Sequence, residues 1–73
     1  YKIFPNPAKD YLLISGKEKS ADVSIFNIQG VLMLTSQKTQ LPQRLNISSF
    51  PKGLYFLKLT EGQNFELLKF IKK

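Results

Sequence analysis

The 73-residue chain contains no cysteine, no histidine and no tryptophan. Without thiols it forms neither a disulfide nor a thiolate metal site, and without imidazole it lacks the commonest metal ligand and the commonest general base. Acids are few: Asp10, Glu18, Asp22, Glu61 and Glu66 are the only five. All fall in or beside expected turns, and no two are spaced to place a pair of carboxylates on one strand face for acid and base work. Ser15, Ser20, Ser24, Ser36, Ser48 and Ser49 have no imidazole to activate them, and no glycine-rich phosphate cradle is present. Asn6 with Asp10 is too sparse a set of oxygens for calcium and is read as turn capping. No apolar run approaches the roughly 18 residues of a membrane helix. Neither catalysis, a cofactor, a bound metal nor a transmembrane segment is expected.

What is present is positive charge. Eleven Lys and Arg give a net charge of +6 and a pI near 9.8. Lys2, Lys9, Lys17, Lys19, Lys38, Lys52 and Lys58 are dispersed singly, as a solubilising surface would be, and only Lys69, Lys72 and Lys73 cluster. A nucleic-acid surface would interleave basic and aromatic residues on one exposed face. Only Lys52, Tyr55, Phe56 and Lys58 approach that pattern, and strand geometry requires Tyr55 for the core, so no nucleic-acid partner is expected. A glycan-binding or adhesion module is the competing possibility, weakened by the lack of Trp and by core positions for most of the nine aromatics. The chain starts at Tyr1 with neither Met nor a leader, and is expected to be one domain, residues 1–73, excised from a longer polypeptide.

Gly and Pro divide the sequence into seven short apolar runs: YKIF, YLLIS, DVSIFNI, GVLMLTSQ, RLNIS, GLYFLKLT and FELLKFIK. Each has strand length, with β-branched and aromatic residues at alternate positions, and none has helical spacing. Asn27-Ile28-Gln29-Gly30 is expected to be a hairpin loop with a left-handed Gly30, Phe50-Pro51-Lys52-Gly53 a turn with positive φ at Gly53, and Glu61-Gly62-Gln63-Asn64 a further hairpin. Alternation directs Leu12, Ile14, Val23, Ile25, Leu45, Ile47, Tyr55, Leu57 and Leu59 inward and leaves Phe56 exposed. In VLML the inward pair is either Val31 with Met33 or Leu32 with Leu34, and Leu67–Ile71 is apolar on both faces, so neither register follows from pattern. A chain this small buries only about 60% of its unfolded surface, so the core is thin. The expected fold is all-β: a seven-stranded antiparallel sandwich, Ig-like with Greek-key connections.

Four stretches in this order, FPNPAKDYLLI, DVSIFNIQGVLM, LNISSFPKGLYFLKL and KFIKK, resemble one family, the type A C-terminal sorting domain of the type IX (Por) secretion system of Bacteroidota. Its opening Tyr-Pro-Asn-Pro is similar to Phe4, Pro5, Asn6 and Pro7, with Phe for Tyr. Its hairpin falls on Phe26 to Gly30. Its Leu-Asp-Leu-Ser falls on Leu45, Asn46, Ile47 and Ser48, with Asn for Asp, and its aliphatic-Pro-x-Gly-x-Tyr on Phe50 to Tyr55. Its Lys-rich ending falls on Lys69, Phe70, Ile71, Lys72 and Lys73, with Phe for an aliphatic. The resemblance implies a noncatalytic secretion signal at the C-terminus of a cargo protein. Such a cargo folds in the periplasm, passes the type IX outer-membrane translocon, and loses the domain to a sortase-like signal peptidase as it is attached to the cell surface or released.

Within that frame Pro5, Asn6 and Pro7 are expected to mark where the folded signal begins, and to orient the cleavable linker upstream. Recognition is expected at the last strand and tail, Phe65 to Lys73, with Lys69, Phe70, Ile71, Lys72 and Lys73 and the Gly53 turn as candidate residues. A terminal strand is readily an open edge that accepts a partner strand, and weak self-association through such edges is expected by the same reasoning; the alternative is that Lys69, Lys72 and Lys73 only blunt that edge against aggregation.

Overall fold

In the computed structural model, which describes all residues 1–73, seven strands form two sheets: β1 (Lys2–Phe4), β2 (Tyr11–Ser15), β3 (Ser20–Asn27), β4 (Leu32–Gln40), β5 (Gln43–Asn46), β6 (Gly53–Glu61) and β7 (Asn64–Lys72). One sheet has the order β1-β2-β5 and the other β4-β3-β6-β7, with every strand pair antiparallel. The chain crosses between sheets after β2, after β4 and after β5, which is the Ig-like, Greek-key sandwich expected from the sequence. No helix is long and apolar enough to cross a membrane.

The inward positions of β2, β3, β5 and β6 are those that alternation selects: Leu12, Ile14, Val23, Ile25, Leu45, Tyr55, Leu57 and Leu59 are buried, together with Ile47 just past β5. Phe56 points away from them and is exposed. β4 departs from both expected alternatives. The register slips between Ile25, opposite Leu34, and Phe26, opposite Leu32, so Met33 has no partner. This bulge turns Met33 and Leu34 together towards the core, while Val31 and Leu32 are exposed.

The turns follow from their residues. Asn27 closes the β3–β4 hairpin: its N–H donates to the Val31 carbonyl, its carbonyl accepts from Gly30 N–H, and its Oδ1 accepts from the Gln29 and Val31 amides. Gly30 takes φ +82, where a Cβ would be strained. Between β6 and β7 only Gly62 and Gln63 separate the paired Glu61 and Asn64, with Gly62 at φ +59, the position that a type II′ hairpin reserves for glycine.

The connection from β5 to β6 differs from expectation in detail. Its hydrogen-bonded turn lies at Ile47–Phe50, where Phe50 N–H donates to the Ile47 carbonyl, rather than at Phe50–Gly53. Gly53 does take a positive φ, +148. The carbonyl of Pro51 accepts a 2.6 Å hydrogen bond from the Tyr55 hydroxyl, a tyrosine corner of the kind Ig-like sandwiches place at the start of this strand. Tyr55→Phe keeps the ring packing and leaves that carbonyl without its partner. It is expected to lower stability by about 1–2 kcal/mol, seen as a lower urea midpoint at unchanged slope.

Candidate functional site: the capped edge of the last strand

β7 is an outermost strand of the four-stranded sheet, as a terminal strand was expected to be. Its edge, however, is not open along its whole length. The segment following β1 runs beside the tail: Asn6 Oδ1 accepts from Ile71 N–H at 3.0 Å and Asn6 Nδ2 donates to the Lys69 carbonyl at 3.3 Å. Two residues on, Ala8 N–H donates to the Ile71 carbonyl at 2.8 Å, and Lys73 N–H donates to the Ala8 carbonyl at 2.7 Å. Ala8 thus makes a parallel bridge to Lys72 and is fully buried. The expectation of a free C-terminal edge is corrected for Lys69–Lys73, because residues 6–8 occupy it.

The reason lies in the chemistry of Pro-Asn-Pro. Neither proline has an N–H, so the only donor side chain in the triplet is the Asn6 carboxamide. That group carries one acceptor and one donor, and it substitutes for the backbone of a neighbouring strand by pairing with one N–H and one C=O of β7. Pro5, Asn6 and Pro7 are all exposed, so the triplet lies on the surface beside the tail.

The candidate residues of the tail divide by strand alternation. Phe70 is fully buried and lies 5.5 Å, ring to ring, from Tyr55, which in turn lies 5.3 Å from Phe50. Lys72 also points inward, with its Nζ donating to the Lys73 carbonyl at 2.7 Å. Lys69, Ile71 and Lys73 are exposed. The tail motif therefore has two roles by position: Phe70 and Lys72 belong to the packed interior, whereas Lys69, Ile71 and Lys73 are displayed. Gly53 pairs with Lys72 across the ladder and places Lys52 beside the same end.

Charge is polarised between the two ends of the strands. Glu18, Glu61 and Glu66 surround Tyr1, whose amino group lies 3.4 Å from Glu66, and burial followed by Glu61 and Glu18 raises the Tyr1 phenol above its ordinary pKa. Asp22, opposite Thr60, accepts from Lys38 N–H near that end. At the tail end, Lys9, Lys52, Lys69, Lys72 and Lys73 gather with Asp10, whereas at the other end Lys2, Lys17, Lys19 and Lys38 accompany the four acids. The pattern of dispersed lysines hid this polarity, because their distribution along the sequence says nothing about which strand ends meet.

The entering segment of this two-sheet sandwich is thus stapled to a basic, displayed C-terminal strand. The chain belongs to the secretion system C-terminal sorting domain family, whose model matches residues 2–73. It is a C-terminal sorting signal of the type IX (Por) secretion system, and so serves secretion to the cell surface or the extracellular space. It is similar to beta-agarase D of Zobellia galactanivorans (33% identity over 61 residues; 84% of this chain and 12% of that protein) and to beta-agarase A of the same organism (29% over 68 residues; 90% and 12%). Funoran endo-beta-hydrolase of Wenyingzhuangia aestuarii is 35% identical over 63 residues, 82% of this chain and 9% of that protein. The chain thus spans about a tenth of the length of these relatives. Its fold is shared with part of PorZ, an essential bacterial surface component of the type-IX secretion system of Porphyromonas gingivalis, at a TM-score of 0.78 and 16% identity over 99% of this chain and 11% of that one. A sorting signal is not a catalytic domain.

Proposed function

We propose that this domain is the tail of a longer cargo which reaches the periplasm, is selected there by the outer-membrane translocon, and then loses the domain to a sortase-like peptidase as it is attached to the surface or released. The observation that supports this most is the junction of Asn6 with β7. It places the chain that enters the domain within hydrogen-bonding distance of the strand that ends it. A machine that holds the exposed Lys69, Ile71 and Lys73 thereby also holds the entry side of the domain at a fixed position. A linker upstream of Tyr1 would then be offered to a peptidase in a constant geometry, which is the positioning that efficient cleavage requires.

The test is a fusion of the 73 residues to the C-terminus of a periplasm-directed fluorescent reporter. It is expressed in a bacterium with the type IX system and in its translocon-deficient derivative. The expected result is reporter at the surface or in the medium, without the domain, in the competent strain alone. Reporter that stays periplasmic in both strains, with the domain folded, would overturn the proposal.

A further inference from the structure

The outer face of the four-stranded sheet carries Ser24, Thr35 and Thr60, yet it also displays large apolar side chains where a solvent-facing sheet would ordinarily be polar. Leu32 pairs with Phe26 and Phe26 with Phe56; Phe56 lies opposite Lys69 and so diagonal to Leu67 and Ile71, and Ile71 pairs with Leu54, so large apolar side chains are displayed on all four strands. Leu32, Leu67 and Ile71 are 50%, 58% and 51% exposed. Beneath them the opposite faces of β3 and β6 already fill the core with Val23, Ile25, Leu57 and Leu59, so these side chains are not needed to hold the two sheets together.

Two further features of this face identify what would cover it. Its central charged side chains are Lys58 and Lys69, and neither is ion-paired; Lys58 Nζ instead sits 4.9 Å from the Phe65 ring centroid. Nearby acids are engaged elsewhere: Asp22 accepts from Lys38 N–H, and Glu66 turns towards the Tyr1 amino group. The face also ends at the outer backbone edge of β7, which is capped over only part of its length. Ile71 N–H and the Lys69 carbonyl point out of the sheet towards Asn6, and β7 pairs with β6 without a register break. By alternation the N–H and C=O groups of Phe65 and Leu67 point outward too, and neither makes a backbone bond outside the sheet ladders.

From these features, and resting on the sorting-signal function above, we infer that the uncapped half of β7, Phe65 to Leu67, receives an extended strand of a partner protein whose apolar side chains, bracketed by carboxylates, cover the Phe56–Leu67 face. A strand satisfies the free backbone groups, apolar side chains cover the patch, and carboxylates match Lys58 and Lys69. A lipid surface matches the charge and the apolar groups but supplies no hydrogen-bonding edge. A second copy of this chain supplies the edge but sets lysine against lysine. The Asn6 cap limits strand addition to the half of β7 nearer the Gly62 hairpin and so fixes where the partner sits.

The test uses the reporter fusion with three changes on this face. Leu67→Pro removes an outward N–H without breaking a bond to β6; Leu67→Ser keeps the N–H and removes the apolar group; Lys58→Glu with Lys69→Glu reverses the charge and leaves the backbone intact. Folding of each isolated domain is checked by thermal melting. The expected result is folded domains with secretion of the Pro and the double Glu variants reduced about tenfold or more. A photo-crosslinker at Phe56 is expected to trap a translocon component, while one at Leu13 in the other sheet does not.

Secretion of the double Glu variant at the parent level, or crosslinks from Leu13 alone, would overturn the inference even if Leu67→Pro fails to fold. A dimer in sedimentation that Leu67→Ser dissolves would assign the face to a second copy. Binding to phosphatidylglycerol vesicles that Leu67→Pro leaves intact would assign it to lipid. Either result also overturns the inference. Failure of the unmodified fusion to be secreted is a separate outcome and counts against the sorting function itself.

Discussion

Replacing Phe70 with alanine is expected to leave most of the domain unfolded at 37 °C. The ring is fully buried and stacked on Tyr55, and removing a buried Phe ring costs about 3–5 kcal/mol. Domains of this size rarely have more than about 3–5 kcal/mol in total, so the loss consumes the margin. The neighbouring Ile71→Ala, on the exposed face, is expected to cost under about 1 kcal/mol. Urea titration of both variants measures the contrast. A larger loss at Ile71 than at Phe70 would mean that β7 is shifted by one residue, which would exchange its two faces. The pair also separates two senses in which a tail residue matters: secretion lost through Phe70 is secretion lost through folding.

Asn6→Ala is expected to release the tail edge while leaving the core in place. It removes the hydrogen bonds at 3.0 and 3.3 Å to Ile71 and Lys69, worth about 1–2 kcal/mol together. The amide of Ile71 should then exchange with solvent about 5–30 times faster, and that of Lys73, held by Ala8, should follow. Asn6→Asp keeps the acceptor for Ile71 and loses only the donor, so it should retain most of the protection. Exchange at Ile71 unchanged in Asn6→Ala would show that the bridge through Ala8 alone holds the edge. In the secretion assay the same variant is expected to slow removal of the domain, because the entry segment is no longer held to the tail.

The strands and most of the core were legible because their determinants are local. Gly30, Gly62 and the prolines punctuate the chain, and period-two alternation in YLLIS, DVSIFNI and GLYFLKLT has one apolar face, so only one register buries it. VLML was not legible, since all four residues are apolar and the bulge that turns Met33 inward beside Leu34 shows only in the pairing with Ile25 and Phe26. The tail was half legible. Its motif marked Lys69 to Lys73 as a unit, but FELLKFIK is apolar on both faces and the partition into buried Phe70 and Lys72 and displayed Lys69, Ile71 and Lys73 depends on the sheet.

The Asn6 cap was invisible for a different reason. It joins residues 65 positions apart through a side chain that imitates backbone, and propensity describes only neighbours. The signal that was present is chemical: an asparagine between two residues without N–H groups is the one side chain of that triplet able to pair with an edge. The basic polarity of the tail end escaped a linear count because it arises from long-range pairing: the antiparallel β6–β7 ladder brings Lys52, next to Gly53, and the parallel Ala8 bridge brings Lys9, to the level of Lys72.

The most direct test of the account is secretion of the reporter carrying Lys69→Gln, Ile71→Ser and Lys73→Gln together, compared with the unmodified domain after both are shown to melt at closely similar temperatures. These three side chains are exposed, so folding should be nearly unchanged. If the displayed half of the tail is the signal, the variant stays folded in the periplasm, unsecreted and uncleaved. Secretion and cleavage at the parent rate would contradict the account, and would move the recognition surface away from the tail.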